Sequence, residues 1–337
     1  MKTMSFDLED SVLKREIIKR KPKIVLLQLP EGLKSGAPRL AAIVERAGAL
    51  AVVSSDPCYG ACDLAISGAK ILGADLIVHY GHTPMSVNGD VPTVFIEVKA
   101  KISIKEAVTK ALPYLESWSK IGLVTTVQHV HQLNEAREIL ETAGKNVFLG
   151  NAGKVKYAGQ VLGCDFSNAQ IVSENVDSYL FVGGGRFHAI GVALATEKPT
   201  IIADPYEQKT YPIQDQVRRI IMQRWGNISE SKQAKSFGVL ISLKSGQMNL
   251  RNAINIKNKL ENRGLTATLL AITEVTPSAL MQFPEIDAFV NTGCPRLSLD
   301  DGPHFSKPLL SVNETFVMLG ELKWEDLLRR GWFGNVS

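Results

Sequence analysis

At 337 residues the chain is too long for one small core, and on size alone it divides into two or three units of about 100 to 150 residues. Its 45% hydrophobic and 21% charged content excludes a disordered or fibrous protein, and a formal charge of only +4, with no basic cluster interleaved with aromatics, argues against nucleic acid as a partner. The first twenty residues are charged throughout and lack the apolar centre of a signal peptide, and no later run approaches the roughly 18 apolar residues of a bilayer span, so a cytoplasmic protein with no membrane association is expected.

In chain order, short runs rich in Val, Ile and Leu alternate with segments of helical period: "KIVLLQLP", "ALAVVSS", "DLIVHYG", "TVFIEV"; then "IGLVTTV", "NVFLG", "YLFVGGG", "TIIAD"; then "GVLISL", "TATLLAI", "DAFVNTG", "LLSV". Continuous apolar runs between helices predict parallel sheets buried on both faces, and the class is α/β. "HQLNEAREILETAG" and "LRNAINIKNKLENRG" carry apolar residues at helical spacing and end in Gly144 and Gly264, natural left-handed caps.

The strands repeat. "DLIVHYG" from Asp75, "DSYLFVG" from Asp177 and "DAFVNTG" from Asp287 each keep Asp, an apolar centre and Gly six positions on, and each is followed by a proline, Pro92, Pro199 or Pro308, that opens another apolar run. The period of roughly 100 to 110 residues is that of a domain rather than a solenoid. Boundaries are expected near 112, at "LPYLESWSK", and near 230, where "GNISESKQAKS" reads as a polar connection, which makes three related βαβα units of residues 1–112, 113–230 and 231–337.

Without a secretion signal, four cysteines are better read as buried thiols, metal ligands or redox groups than as a disulfide framework. Cys62 precedes Asp75 by 13 residues and Cys164 precedes Asp177 by the same 13, so the two occupy one position used twice, after the second strand of a unit and before a helix. That is the carboxyl edge of a parallel sheet, where ligands gather. In the third unit the equivalent residue is Glu274, but Cys294 follows Gly293 on the same edge. Three such cysteines could converge if the units close around a central space. A four-iron cluster on three thiolates leaves one iron open for a substrate, whereas structural zinc usually takes four protein ligands and often draws them from close-spaced pairs. The plainer alternative is that the cysteines are small buried hydrophobes. Cys58 and Cys62 form CxxxC, but residue 65 is Ala, so CxxxCxxC is not completed. Cys58, whose counterpart in the second unit is Gln160, reads as an accessory or incidental thiol.

"LQLPEGL", "DPCYGACDLA", "LGCDFSNA" and "NTGCPRLSLDD", in that order over nearly the whole chain, resemble the diphthamide biosynthesis enzymes in their archaeal single-subunit form. The resemblance implies three similar domains around a central 4Fe-4S cluster held by Cys62, Cys164 and Cys294, and a homodimer. It further implies a noncanonical radical enzyme that cleaves S-adenosylmethionine between sulfur and the γ-carbon and transfers the 3-amino-3-carboxypropyl group to C2 of a histidine of translation elongation factor 2, using an external electron donor. The rival expectation is a noncatalytic three-domain protein that a cluster or zinc ion only stabilises. A periplasmic-type binding protein is disfavoured by the absence of a signal peptide.

Other candidates for the cofactor and substrate surroundings are Pro30, Glu31 and Gly32 in the loop after the first strand, and Gly183, Gly184, Gly185 and Arg186 in "VGGGRFH", which satisfies neither phosphate-loop pattern. Arg186, His188 and Arg296 could bind the substrate carboxylate, and Asp300 or Asp301 its amino group; structural roles are the alternative for each. His79, His82, His129, His131 and His304 show no metal spacing and read as surface or core residues. No GxSxG or other hydrolytic triad is present.

Overall fold

A computed structural model describes residues 6–85, 89–151, 155–300, 302–330 and 332–333. All twelve apolar runs form strands, four in each third of the chain. The first sheet holds Ile24–Gln28, Leu50–Val53, Leu76–Tyr80 and Thr93–Ile96, all parallel, in the spatial order second, first, third, fourth. The middle sheet (Lys120–Thr125, Asn146–Phe148, Ser178–Val182, Thr200–Asp204) and the last (Ser236–Ser242, Thr266–Ile272, Ala288–Asn291, Leu309–Ser311) repeat that order. The middle sheet adds an antiparallel edge strand, Lys209–Pro212, which the sequence pattern does not announce. A further short antiparallel pair, Phe6–Asp7 with Lys99–Ala100, lies apart.

The repeat markers have a physical explanation. At the foot of each third strand the aspartate takes two backbone N–H groups from the start of the first strand into one carboxylate oxygen. Asp75 accepts from Lys23 and Ile24 at 2.8 and 2.9 Å, Asp177 from Ser119 and Lys120 at 3.1 and 2.9 Å, and Asp287 from Lys235 and Ser236, both at 2.9 Å. These bonds hold all three carboxyls below the usual range. The carbonyls of Pro92, Pro199 and Pro308 accept from Ile77, Tyr179 and Phe289, which begins the pairing of third and fourth strands in the same register each time. A proline is tolerated there because it stands just before the strand begins and supplies a carbonyl at a position where no N–H is required.

Alternate side chains of each strand serve opposite faces. In the first sheet Val25, Leu27, Leu76 and Val78 enter one core cluster, and Leu26 and Ile77 the other. The helices predicted to end at Gly144 and Gly264 are Leu133–Thr142 and Leu250–Glu261, with both glycines in the left-handed region at φ 79° and 74°. "GNISES", expected as a connection, instead forms the last turns of an 18-residue helix, Gln214–Ser231, because Ile228 and Arg224 on one side of it are buried against the C-terminal part of the chain.

The middle and last sheets are not independent bodies. One core joins Phe166, Ile190, Val192 and Ile228 to Leu299, Leu310, Val317, Leu327 and Trp332. The helix Phe187–Thr196, buried from Ala189 through Ala195, is covered on its outer side by the helix Trp324–Arg330. Among the described residues no helix is long and apolar enough to cross a membrane.

Candidate metal centre

The shared strand order places the reversal between the first and third strands of every sheet, and ligands of parallel sheets gather beyond the carboxyl ends of the strands there. Cys62 lies in the loop after Leu50–Val53, Cys164 in the loop after Asn146–Phe148, and Cys294 follows Ala288–Asn291 at the start of the helix Pro295–Asp300. All three line one cavity of about 780 Å³, whose walls also include Gly246, Gln247, Asn291 and Phe333.

Cys62 is held by neighbours from another part of the chain, and Cys294 by its own turn. The loop after Ser236–Ser242 grips Cys62: Gly246 N–H donates to the Cys62 carbonyl at 2.7 Å and Gln247 Nε2 donates to Cys62 Sγ at 3.4 Å. A Cβ on Gly246 would lie 2.6 Å from the Cys62 Cα, so only glycine permits this approach. Beside it the nearly buried Lys244 bonds Asp63 at 3.0 Å and Glu274 at 2.7 Å, and Tyr59 donates to Glu274 at 3.3 Å. Glu274, at the position the repeat aligns with Cys62 and Cys164, thus ties the loop around Cys62 to the last sheet. The Cys294 turn is shaped by Asn291, which donates to the Cys294 carbonyl at 2.6 Å and accepts from Gly293 N–H at 3.0 Å.

Burial pushes all three thiols up. Cys164 reaches about 12, with the Cys62 and Cys294 sulfurs adding to the shift. For Cys62 the Gln247 bond works the other way, and for Cys294 the N–H groups of Arg296 and Leu297 do. Left alone these thiols keep their protons; a bound cation displaces them. The donor set suits a polynuclear cluster better than one ion. Tetrahedral zinc, with Zn–S near 2.3 Å, holds its sulfurs about 3.8 Å apart. Among the described residues the group with all ligand atoms within 4.8 Å of one another is Cys58, His79 and His82, not the three cysteines of the cavity.

Arg296 completes the fit. Its charge acts on both Cys164 and Cys294, and its guanidinium lies 3.8 Å from the Phe187 ring centroid. Nη2 donates to the Phe187 carbonyl and to Asp300, both at 2.8 Å, and Nε pairs with Asp300 at 2.7 Å. Arg296 itself is not a wall of the cavity, and its Nη1 is buried with no hydrogen-bond partner among the described residues. His188 is in the same region, held neutral at about 3 by burial, then by the Arg296 charge and His82.

The remaining candidates lie elsewhere. Arg186 turns to Gln216 and Tyr211. Gly183, Gly184 and Gly185 accommodate packing: the Phe181 ring faces Gly183, the Tyr206 ring faces Gly184, and Gly185, at φ 74°, donates to Asp204 at 2.9 Å. Pro30, Glu31 and Gly32 are not among the cavity walls, but Lys34 bonds Glu31, the Ser55 carbonyl and the Asp56 carbonyl, tying that turn to the loop that leads to Cys58 and Cys62. Asp301 lies outside the described residues. Sequence reasoning missed Gly246, Gln247 and Lys244, which no local motif marks.

The family model for diphthamide synthesis proteins matches residues 29–328. The 2-(3-amino-3-carboxypropyl)histidine synthase of Pyrococcus horikoshii is 36% identical over 330 residues, 96% of this chain and 95% of that protein. Subunit 1 of the synthase of Homo sapiens is 31% identical over 94% of this chain and 72% of its own length. The crystal structure of Dph2 from Pyrococcus horikoshii with a 4Fe-4S cluster superposes with a TM-score of 0.86 at 36% identity, covering 94% of this chain and 92% of that one. On a match of this extent, in sequence and in fold, the chain belongs to the diphthamide synthesis family.

Proposed function

We propose that the protein takes the 3-amino-3-carboxypropyl group of S-adenosylmethionine to C2 of the target histidine of translation elongation factor 2, the first step of diphthamide biosynthesis. The units 1–112, 113–230 and 231–337 each contribute one ligand, Cys62, Cys164 and Cys294, to a 4Fe-4S cluster. The observation that carries this reading is the meeting of those three cysteines, from three sheets, on one cavity beside a buried guanidinium with a free N–H. When bound, such a cluster supplies the single electron that parts the sulfonium sulfur from the γ-carbon.

The residues around it bind and orient. In this reading the buried, unpartnered Arg296 Nη1 takes an anionic group such as the substrate carboxylate, while Phe187 and Asp300 hold the guanidinium still. His188, kept neutral, adds no second positive charge at that point. The same reading makes elongation factor 2 the protein substrate, requires an external electron donor, and takes a cytoplasmic homodimer as the working form.

Reduced protein incubated with S-adenosylmethionine and elongation factor 2 is expected to release methylthioadenosine and to add one aminocarboxypropyl mass to the target histidine. Dominant 5′-deoxyadenosine would mean that the other carbon–sulfur bond breaks, and the reading would fail. A cluster-loaded protein that forms neither product would instead support the noncatalytic scaffold.

Gln247→Leu removes the N–H donor from Cys62 Sγ. Because that bond stabilises negative charge on sulfur, its loss is expected to move the cluster reduction potential downward, with iron and sulfide content retained. Redox titration followed by electron paramagnetic resonance reads the shift; an unchanged potential would show that Gln247 does not donate to the loaded site.

A further inference from the structure

A second constellation of ligand atoms is assembled around Cys58, which shares its loop with Cys62. Cys58 Sγ and one ring nitrogen each of His79 and His82 all lie within 4.8 Å of one another, and none of the three residues is a wall of the cluster cavity. Cys58 is 3% exposed and His79 is fully buried. His79 is on the strand Leu76–Tyr80, opposite Gln28 in the register. Gly81, at φ 82°, turns the chain so that His82 comes back beside it. The two imidazoles lie 5.1 Å apart between ring centroids, with Phe95 packed on His79 at 5.3 Å.

Hydrogen bonding sets the tautomer of His79. The Gln28 side chain has its amide orientation fixed from both ends, because Nε2 donates to the Asp63 carbonyl at 2.6 Å and Oε1 accepts from Ala65 N–H at 3.1 Å. Oε1 can therefore only accept from His79 Nδ1, 2.9 Å away, which puts the proton on Nδ1 and leaves the lone pair on Nε2. That lone pair points to His82 Nδ1 at 2.9 Å. An amide oxygen holding one ring nitrogen so that the other is free is the usual support of a metal-bound histidine.

We propose that Cys58, His79 and His82 form a mononuclear zinc-type site, separate from the cluster cavity and carried by the loop that also presents Cys62. Two imidazoles and one thiolate are a donor set that zinc takes, at about 2.0 Å to nitrogen and 2.3 Å to sulfur. In tetrahedral geometry the ligand atoms are then roughly 3.3 to 3.6 Å apart, inside the 4.8 Å already present. Both rings are already in the neutral form a metal needs, since burial lowers His79 to about 3 and His82 to about 4. Cys58, raised to about 12 by burial, gives up its proton on binding. Among the described residues the group offers three ligands, which leaves a fourth position for water. The ion would fasten the loop between residues 58 and 62 to the third strand of its own sheet.

The test uses the full-length chain, purified without oxygen and reconstituted with iron and sulfide, to which cobalt(II) is added and then displaced by zinc. One cobalt per chain is expected, with a thiolate-to-metal charge-transfer band, and zinc-edge X-ray absorption of the displaced form should show one sulfur and three nitrogen or oxygen neighbours, two of them with the outer-shell pattern of imidazole. Cys58→Ala and His82→Gln should each abolish the charge-transfer band while iron and sulfide stay at the unaltered level. Gln28→Leu, which frees His79 to rotate, should weaken binding about 10–100-fold. Absence of cobalt or zinc beyond the cluster, retention of the band in Cys58→Ala, or an all-sulfur coordination shell would overturn the proposal. The first of these outcomes would leave the three residues as a hydrogen-bonded cluster. Since X-ray absorption is read on the unaltered chain, the result stands even where a variant folds poorly, and it does not depend on transferase activity.

Discussion

Cys62→Ala, Cys164→Ala and Cys294→Ala are each expected to bring cluster iron and sulfide close to background after anaerobic reconstitution, and to abolish aminocarboxypropyl transfer. The three are not interchangeable with Cys58, because they come from three different sheets and share one cavity that Cys58 does not line. On the proposed assignment, losing one would leave two thiolates for a cluster held by three, with no other cysteine among the cavity walls. Cys58→Ala should keep the full iron and sulfide content. Iron and sulfide assays with visible absorption decide the matter. A variant at Cys164 that still holds a four-iron cluster would remove the middle unit from the site and contradict the assignment.

The second large effect concerns stability. Arg224 of the helix Gln214–Ser231 donates from Nε and Nη2 to the two carboxylate oxygens of Glu314, at 2.7 and 2.6 Å, and from Nη2 to the Leu309 carbonyl at 2.6 Å; both side chains are 0% exposed. Arg224→Met leaves Glu314 as a buried charge without its partner, which should cost about 3–5 kcal/mol in urea unfolding. Against a typical stability of about 5–15 kcal/mol this is a large fraction. Replacing both partners with apolar residues should cost much less than the single change, apart from about 1 kcal/mol for the lost helix cap, since Glu314 also accepts from Ser311 N–H in a capping box. A loss below about 1 kcal/mol for Arg224→Met would show that the buried pair contributes little beyond its packing.

Much of the architecture was legible because it depends on periodicity that parallel sheets impose locally. Every apolar run became a strand, and the recurring Asp and Pro marked the same two hydrogen-bonded junctions three times. The three cysteines were legible through that repeat and through the family motifs around them. What was not legible depends on tertiary partners. "KTYP" forms an edge strand that ends on its own proline, and "GNISES", polar and opening on a glycine, is helical because its buried face meets the C-terminal helices. Gly246 and Gln247 are defined only by Cys62, 184 and 185 residues away in sequence. His79 and His82 carry no metal spacing with Cys58, since the sheet, rather than the chain, brings them together.

The core shared by the middle and last sheets sets an order of events during synthesis. When the helix Gln214–Ser231 has emerged from the ribosome, the apolar face formed by Phe166, Ile190, Val192 and Ile228 still lacks Leu299, Leu310, Val317, Leu327 and Trp332, which complete its cover. At about 5–20 residues per second, the hundred or so residues between the two groups take on the order of ten seconds to appear. Throughout that interval the nascent chain exposes a greasy surface to chaperones. Cys62 and Cys164 meanwhile precede Cys294 and the Gly246 loop that grips Cys62, so on the proposed assignment iron would be taken up only after the last sheet has docked.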